Sequence, residues 1–343
     1  MQDARWIALG GCSPADLHAT YTGLADAQAD DAPPIVIWAR PDTPHLSLGA
    51  SQSAAGELDL GACRRDGIPV IQRPLGGGTV WVDAGQSCFF LIFPRHAAPR
   101  RHENLFAACL EAVAEALGPL GLRVHRQGVQ DLWFGERKIM GSGAATINRS
   151  MVFGASFLRH FPDERFARYI RTPSRGFGRW LRAALRAGMT DLERAGLRAR
   201  DDALEHALKK ALEQRFGWRF RSDGPTAAEH EKIAEAGDEL LPDLSDTERR
   251  LVPYGIKVSA GQYVLEGEVA DCGRLRLWVR GERLVRLVGT EWTWRAAFRR
   301  MAGAPLAHAS ISKILAEAGM TPTDVERVLA GIETLLQGTG IQL

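Results

Sequence analysis

The pattern of apolar and polar positions predicts strands at both ends of the chain and helices between them. Short β-branched or aromatic runs are typical of strands, and apolar positions three or four apart are typical of helices. In the N-terminal part we expect strands at residues 35–39, 45–48, 68–71, 79–82, 87–93, 131–134, 138–147 and 151–158, and helices at 57–65 and 103–117. In the C-terminal part we expect strands at 262–266, 274–279 and 284–287, and helices at 292–301, 310–318 and 323–336.

The order of these elements predicts an α+β protein. Three strands in succession follow the helix at 103–117, which favours a mixed or antiparallel sheet with flanking helices over an alternating βαβ sheet. Residues 161–251 are predicted to be mostly helical, and 240–247 to form a linker. A chain of 343 residues exceeds one ordinary hydrophobic core, so we expect a larger domain over residues 1–240 and a smaller α+β domain over 250–343.

Composition excludes several classes of protein. The net charge of +2 does not indicate a binder of nucleic acid or of membrane surfaces. The longest apolar run, residues 88–93, is too short to cross a bilayer. The five cysteines are odd in number and widely spaced, so they indicate neither a disulfide framework nor a zinc site. We therefore expect a cytoplasmic protein. We also expect it to be a monomer.

Two segments carry candidate chemistry. The first contains Gly76, Gly77 and Gly78 between two predicted strands, where backbone N–H groups can form a nest for a phosphate or carboxylate. It is not a P-loop, because no Gly-Lys-Ser/Thr follows, and not a dinucleotide fingerprint, because a strand follows. The second segment places Lys138 after a turn, at the start of a strand of small residues that leave room for a ligand. Taken alone, the first segment could equally be a tight hairpin, and the second a solvated surface charge.

Together the two segments resemble the lipoate–protein ligase branch of the biotin/lipoyl ligase family. Residues 72–83 read QRPLGGGTVWVD, similar to the family's R-R-x-S-G-G-G-x-V-x-H-D, and GQSCFFL follows at 85–91 in place of G-N-x-x-F-S-F. Residues 128–132 (GVQDL) and 138–144 (KIMGSGA) resemble the family's G-x-N-D-h and K-I-S-G-S-A. LGASQ at 48–52 is similar to I-G-R-x-Q, and MTDL at 189–192 to V-T-N-L. Residues 250–343 resemble the accessory domain of these ligases, including the segment GTEW at 289–292.

The resemblance implies an ATP-dependent ligase that activates lipoate or octanoate as the acyl-AMP, with Mg²⁺, and transfers the acyl group to a lysine ε-amino group. The acceptor would be an acidic lipoyl domain or a small carrier like the glycine-cleavage H protein. The implied catalytic residue is Lys138, and Asp131 would bind the metal. The implied ATP contacts are Arg73, Gly76, Gly77, Gly78, Thr79, Asp83, Asp131 and Lys138. The implied contacts to the acyl substrate are Leu75, Gly76, Cys88, Lys138, Gly141 and Ser142.

The chain departs from the family pattern at several positions. Val82 and Phe153 stand where the family usually has histidine, which makes the expected pocket more apolar. Two alternatives stay open: an octanoyltransferase that acts from acyl carrier protein through a Cys88 nucleophile, and a non-catalytic protein that binds lipoyl groups or carriers. We expect Cys88 to be a small core residue instead, since it lies in a strand predicted to be buried.

An arginine recurs every three or four residues in one part of the helical region. The series is Arg165, Arg168, Arg171, Arg175, Arg179, Arg182 and Arg186. We expect Pro173, Gly176 and Gly178 to break it into two pieces. The series is either a solvated face or a docking surface for an acidic acceptor. No aromatic stacking platform or recognised nucleic-acid-binding fold accompanies it, which argues against nucleic acid.

Overall fold

The computed structural model describes residues 1–99, 101–242, 248–270, 272–289 and 294–343. Two compact units divide this part of the chain. The first unit takes in residues 1–54, 60–162 and 190–242, and the second takes in 55–59, 163–189 and the described residues from 248 onward. Residues 55–59 and 163–189 thus pack with the C-terminal part, although the sequence placed them in the larger domain. The functional domains at 1–240 and 250–343 stay a prediction.

The strands are numbered in chain order. They are β1 (Gln2–Cys12), β2 (Ile35–Pro41), β3 (His45–Leu48), β4 (Val70–Gln72), β5 (Val80–Val82), β6 (Gln86–Phe93), β7 (His125–Gln127), β8 (Asp131–Phe134), β9 (Arg137–Ile147), β10 (Ser150–Leu158), β11 (Trp218–Ser222), β12 (Gly255–Ser259), β13 (Gln262–Val269), β14 (Gly273–Arg280) and β15 (Arg283–Gly289). The helices are α1 (Pro14–Ala27), α2 (Ala54–Glu57), α3 (Leu60–Arg65), α4 (His102–Leu117), α5 (Asp163–Tyr169), α6 (Arg175–Gly188), α7 (Asp201–Phe216), α8 (Ala227–Asp238), α9 (Arg295–Arg300), α10 (His308–Glu317) and α11 (Pro322–Leu336).

The first unit is built on an eight-stranded mixed sheet in the order β11-β1-β2-β6-β10-β9-β8-β7. Strand β1 runs parallel to β2 and β11, and the other neighbours are antiparallel. Both faces are covered, so β6 is buried at all eight positions. Phe89 and Leu91 pack in the core that contains α4 and α7, while Cys88 and Phe90 pack in the core that contains α1. Burial on both faces explains why β6 reads as a continuous apolar run.

A small three-stranded sheet in the order β4-β3-β5 carries the triple glycine. Strand β3 lies in the middle and is buried at all four positions. The connection from β4 to β5 contains the three glycines, and we call residues 73–79 the glycine loop. Its first residues stay bonded to the sheet region, since Arg73 N donates to Leu48 O (3.0 Å) and Ala50 N donates to Leu75 O (3.1 Å).

The second unit has its own sheet and its own core. Strands β12 to β15 form an antiparallel sheet in sequential order, and α6, α9 and α11 pack on it. Buried leucines such as Leu265, Leu275 and Leu277 fill the core. A cavity of about 650 Å³ within this unit is lined by Arg171, Tyr254 and other residues, none of which the sequence singled out for acyl or ATP binding.

The α+β fold with a mixed sheet, flanking helices and a smaller C-terminal sheet confirms the predicted fold class. Strands β3 and β8 have the predicted bounds. Strands β1, β7, β11 and β12 and helix α1 were not predicted. The charged residues of β1 and β11 obscured their strand pattern, and they pair with each other only in the fold, as Asp3 does with Arg219. Residues 243–247 of the predicted linker and 290–292 of the predicted C-terminal motif lie outside the described residues.

Within the described residues, none of the helices combines the length and apolar composition that crossing a bilayer demands. The cytoplasmic location stays a prediction.

Candidate active site

The Lys138 side chain is held beside a carboxylate. Lys138 lies at the start of β9, and Asp131 lies at the start of the antiparallel neighbour β8, next to an irregularity in their pairing. Lys138 Nζ is 2.8 Å from Asp131 Oδ1, and the two side chains are 19% and 11% exposed. The ion pair therefore sits in a partly desolvated setting, where it orients the ammonium more firmly than a surface pair would.

The Lys138 ammonium and the glycine loop lie over the same face of β9. A β-carbon added at Gly141 would lie 2.8 Å from Lys138 Nζ, and one added at Gly143 would lie 2.7 Å from Gly76 O. Residues two apart in a strand face the same way. The ammonium and the loop therefore sit over neighbouring positions, about 7 Å apart along the strand. The hydrogen bond from Gly76 N to Ala144 O (3.3 Å) fixes the loop there.

The Arg73 side chain holds the glycine loop by hydrogen bonds to its carbonyl groups. Its guanidinium is buried, with Nη2 donating to the carbonyls of Gly76 (3.2 Å) and Gly78 (2.6 Å) and Nη1 donating to Ser47 O (2.6 Å). Gly77, between the two carbonyls, has a φ of 102°, a conformation that favours glycine. Burial lowers the pKa of Arg73 to about 10, so the side chain stays cationic at neutral pH. The sequence predicted Arg73 as an ATP contact, and the geometry gives it a different role, since these donors bind the loop itself.

Thr79 and Asp83 also make contacts within the protein. The Thr79 hydroxyl donates to Gln52 Oε1 (3.2 Å), which also accepts from Gly49 N (3.0 Å). Asp83 Oδ2 accepts from Trp81 Nε1 (2.6 Å) and Oδ1 accepts from Gly85 N (2.9 Å). Asp83 thus ties together the turn between β5 and β6, which gives this residue a structural function beside its predicted ATP contact.

His18 and His45 form a buried pair, and the charge of Arg73 acts on His18. His45 Nδ1 donates to Thr43 O (3.0 Å), so its Nε2 accepts from His18 Nε2 (3.4 Å), and His18 Nδ1 accepts from the Tyr21 hydroxyl (3.2 Å). This sequence of donors and acceptors is satisfied with both rings neutral. Burial, then the neighbouring His45 and Arg73, lowers the pKa of His18 well below its usual value. Burial likewise lowers the pKa of His45. His45 pairs directly across from Val82, where the family usually has histidine.

The apolar side of the site is packed around Leu75. A β-carbon at Gly154 would lie 2.7 Å from Leu75 Cδ1 and 2.8 Å from Phe90 Cδ1, so this glycine makes room for both side chains. Cys88 belongs to the same core and is 4% exposed. Burial, followed by nearby acidic groups, raises the pKa of the Cys88 thiol far above its usual value, so the reactive thiolate is strongly disfavoured.

The structure brings one group of the predicted residues together, and Ser142 does not belong to it. Lys138, Asp131, Gly141, Leu75 and the glycine loop share one face of β9. Ser142 alternates to the opposite face, and its hydroxyl donates to Gln130 O (2.7 Å). The geometry therefore disfavours the predicted contact of Ser142 with the acyl group.

Sequence reasoning assigned no role to two residues that support Lys138. Thr190 N donates to Lys138 O (2.8 Å). The next residue, Asp191, is fully buried and accepts from Phe161 N (3.0 Å) and Arg194 N (2.8 Å). The segment MTDL was visible in the sequence as a family motif, but the burial of Asp191 and the contact of Thr190 with the lysine strand depend on the fold.

The residues present fit Mg²⁺ only in part. Among the described residues, no group of three or more His, Cys, Asp or Glu side chains is placed to hold a metal ion. Asp131 can supply one carboxylate, although its Oδ1 already faces Lys138. Mg²⁺ commonly binds through one or two carboxylates together with substrate phosphates. This donor set therefore suits a metal that arrives with phosphate oxygens.

Comparison with solved structures shows the class of fold. A bipartite lipoate protein ligase of Thermoplasma acidophilum, solved as part of a lipoylation system with its E2 lipoyl domain, has a TM-score of 0.64 at 22% identity and covers 70% of this chain and 93% of its own. A lipoate-protein ligase A bound with ATP has a TM-score of 0.60 at 22% identity, covering 72% and 97%. The fold is that of the lipoate–protein ligases.

Sequence comparison then shows the family. Residues 17–213, more than half of the chain, match the model of the lipoyl protein ligase A/B catalytic domain, and the chain belongs to this family of enzymes. Lipoate-protein ligase A subunit 1 of Thermoplasma acidophilum is 26% identical over 218 residues, 60% of this chain and 80% of the relative. Octanoyltransferase LipM of Geobacillus kaustophilus is 30% identical over 123 residues, 35% of this chain and 44% of that relative. The resemblance read from the sequence motifs is confirmed.

Proposed function

We propose that this enzyme is an ATP-dependent lipoate–protein ligase. It would activate lipoate or octanoate as the acyl-AMP and transfer the acyl group to a lysine of an acceptor protein. The observation that carries the proposal is the placement of the Lys138 ammonium and the glycine loop over one face of β9. A relative in the same family is named a lipoate-protein ligase, and one neighbour of the same fold was solved with ATP.

The chemistry needs positive charge at a defined place. A free carboxylic acid does not acylate an amine at neutral pH, so the carboxylate must first be joined to a phosphoryl group. Lys138 would neutralise charge on the carboxylate and the α-phosphate, and later on the oxyanion that forms during transfer. Amides of the glycine loop would donate to the same anions. Asp131 would hold the ammonium in place, and much of the rate enhancement would come from such positioning.

ATP and Mg²⁺ would share the polar end of the site. The loop amides of Gly77, Gly78 and Thr79 would donate to phosphate oxygens, and Asp131 would bind a metal held together with those oxygens. The metal, when bound, supplies further charge neutralisation. The apolar end, around Leu75 and Cys88, is packed in this structure. Binding of a lipoyl chain there would require Leu75 to move off Gly154.

The acceptor is proposed to be a lipoyl domain or a small carrier of the glycine-cleavage H type. In the lipoylation system of Thermoplasma acidophilum, a ligase of the same fold has an E2 lipoyl domain as its partner. For the present chain, the acidic character of the acceptor and the monomeric state of the enzyme remain proposals.

Lipoate-dependent exchange of pyrophosphate into ATP tests the proposal. The wild type should exchange label only when lipoate or octanoate is present, and Lys138→Ala should lose at least 10²-fold in rate. Lys210→Ala, an exposed lysine on α7, is the matched control and should be unaffected. Normal exchange by Lys138→Ala would remove Lys138 from its role, and no exchange by the wild type would remove the ligase function.

Cys88 separates the ligase from an octanoyltransferase. One relative carries that name, but a buried thiol of raised pKa is a poor nucleophile. Cys88→Ser should therefore retain both exchange and acyl transfer with ATP. Transfer from octanoyl acyl carrier protein without ATP, abolished by Cys88→Ser, would establish the transferase instead.

A further inference from the structure

One line of positions along the exposed side of α6 consists of arginines. Arg175, Arg179, Arg182 and Arg186 recur at intervals of four, three and four residues, which places them along a single line of the helix. The predicted break of the arginine series falls at Pro173, between α5 and α6, whereas Gly176 and Gly178 lie inside α6. The face is therefore continuous for the whole length of this helix.

The opposite face of α6 anchors the helix in the second unit. Phe177, Trp180, Leu181 and Leu185 are buried, and α6 packs against β12, β13 and β14. The Trp180 ring is flanked by two guanidinium groups of the sheet, Arg276 at 5.2 Å and Arg286 at 5.0 Å. The arginines therefore project from the side of α6 that faces away from the sheet.

Most of this charge has no acidic partner within the unit. Arg186 pairs with Asp163 and Glu164. Within the described residues, no carboxylate lies within 4.0 Å of Arg175, Arg179 or Arg182. We call these three arginines the basic surface.

The basic surface is also unfavourable to the free protein. Like charges three and four residues apart on a helix repel each other. Cations near the helix N-terminus oppose the helix dipole, and the first turn of α6 contains no acidic residue. Residues 163–189 contain seven arginines and two acids, a net charge of +5, although the whole chain has only +2. Positive charge is therefore concentrated here, and an anionic partner would relieve the repulsion.

We propose that the basic surface is the docking site for an acidic acceptor protein, and this inference rests on the proposed ligase function. The enzyme must recognise a folded protein that carries the target lysine, and complementary charge is suited to steering such an encounter. Nucleic acid fits less well, because the chain as a whole is nearly neutral and the aromatic ring beside the arginines, Trp180, is buried instead of exposed for stacking.

Charge reversal on the basic surface tests the inference. The double variant Arg179→Glu and Arg182→Glu should keep its fold, because both side chains lie off the buried face. The probe is an unmodified E2 lipoyl domain of net negative charge. At low ionic strength the acceptor KM should rise about tenfold, which corresponds to about 1.4 kcal/mol, with kcat within twofold of the wild type. The difference should shrink at 0.3 M salt, since screening weakens exposed charges.

Controls distinguish the possible outcomes. Lipoate-dependent pyrophosphate exchange needs no acceptor, so it should be unchanged in the double variant. Arg64→Glu with Arg65→Glu, an exposed pair on α3, makes the same change in net charge and should leave the acceptor KM unchanged. Replacing acidic residues of the lipoyl domain with lysine should restore binding to the double variant.

Two results would overturn the docking proposal, and a third would overturn the ligase proposal alone. An unchanged acceptor KM at low salt would overturn the inference, as would a loss of RNA binding in the double variant with normal acceptor kinetics. If the wild type showed no exchange, the ligase proposal would fail by itself. Direct binding of the lipoyl domain, measured by fluorescence anisotropy, would then still show whether the basic surface holds it.

Discussion

Replacing Gly141 with alanine displaces the Lys138 ammonium with little effect on the rest of the fold. The new β-carbon would lie 2.8 Å from Lys138 Nζ, 2.9 Å from Lys138 Cε and 3.8 Å from Asp131 Oδ1. Non-bonded atoms prefer separations of about 3.5–4.0 Å. Because the clash falls on the end of a flexible side chain, the lysine will move by about 1 Å while the backbone stays in place.

A shift of about 1 Å in a charge-bearing group can cost about 10²-fold in rate, and tenfold corresponds to 1.36 kcal/mol of activation free energy. We therefore expect Gly141→Ala to slow lipoate-dependent pyrophosphate exchange by 10- to 100-fold. The free energy of unfolding should change by less than about 1 kcal/mol, because no backbone atom is displaced. Exchange kinetics and urea unfolding measure the two effects separately.

Two other glycines serve as comparisons. At Gly143 the added β-carbon would meet a backbone atom, Gly76 O, at 2.7 Å. Gly143→Ala should therefore shift the glycine loop and lower both activity and stability. At Gly11 nothing lies within 4 Å, so Gly11→Ala should change neither. Wild-type exchange by Gly141→Ala, measured beside these variants, would refute the idea that the position of the ammonium limits the reaction.

Three further predictions concern the support of the site. Arg73→Met leaves the loop carbonyls without donors and should slow pyrophosphate exchange at least tenfold. Arg73→Lys should recover only part of the rate, because lysine lacks the guanidinium fork. Equal rates in the wild type and both variants would contradict the role of Arg73 in holding the loop. His18 and His45 have folded pKa values below 6.5, so the stability present above pH 6.5 is lost as the pH falls and the unfolded state takes up protons. Urea unfolding at pH 7.5 and 5.5 should show that the free energy of unfolding falls by up to about 1.4 kcal/mol per histidine. The fall should be smaller in His18→Gln. A free energy of unfolding that does not fall between the two pH values would exclude this linkage. Asp191→Asn should lower the free energy of unfolding by about 1–3 kcal/mol, because one buried N–H loses its acceptor, and a loss under 0.5 kcal/mol would show that the turn holds without the carboxylate.

The amino-acid sequence by itself determined the fold class, the family and the two segments of the site. Strands such as β3 and β8 were predictable because their apolar runs end at turn residues. The glycine loop and Lys138 were predictable because several motifs, in the same order along the chain, resemble those of one family, whereas neither segment is specific by itself.

Only the tertiary structure decided how these parts act together. Whether a cation and a loop some 60 residues apart share one face of a strand depends on pairing register, which local sequence does not encode. The same holds for the partners of Arg73, for the His18–His45 contact, and for the Thr190 amide at the lysine strand, which all join segments distant in sequence. These contacts arise when burial of the core brings such segments together, because hydrogen bonds and charges then find the partners that the packing leaves within reach.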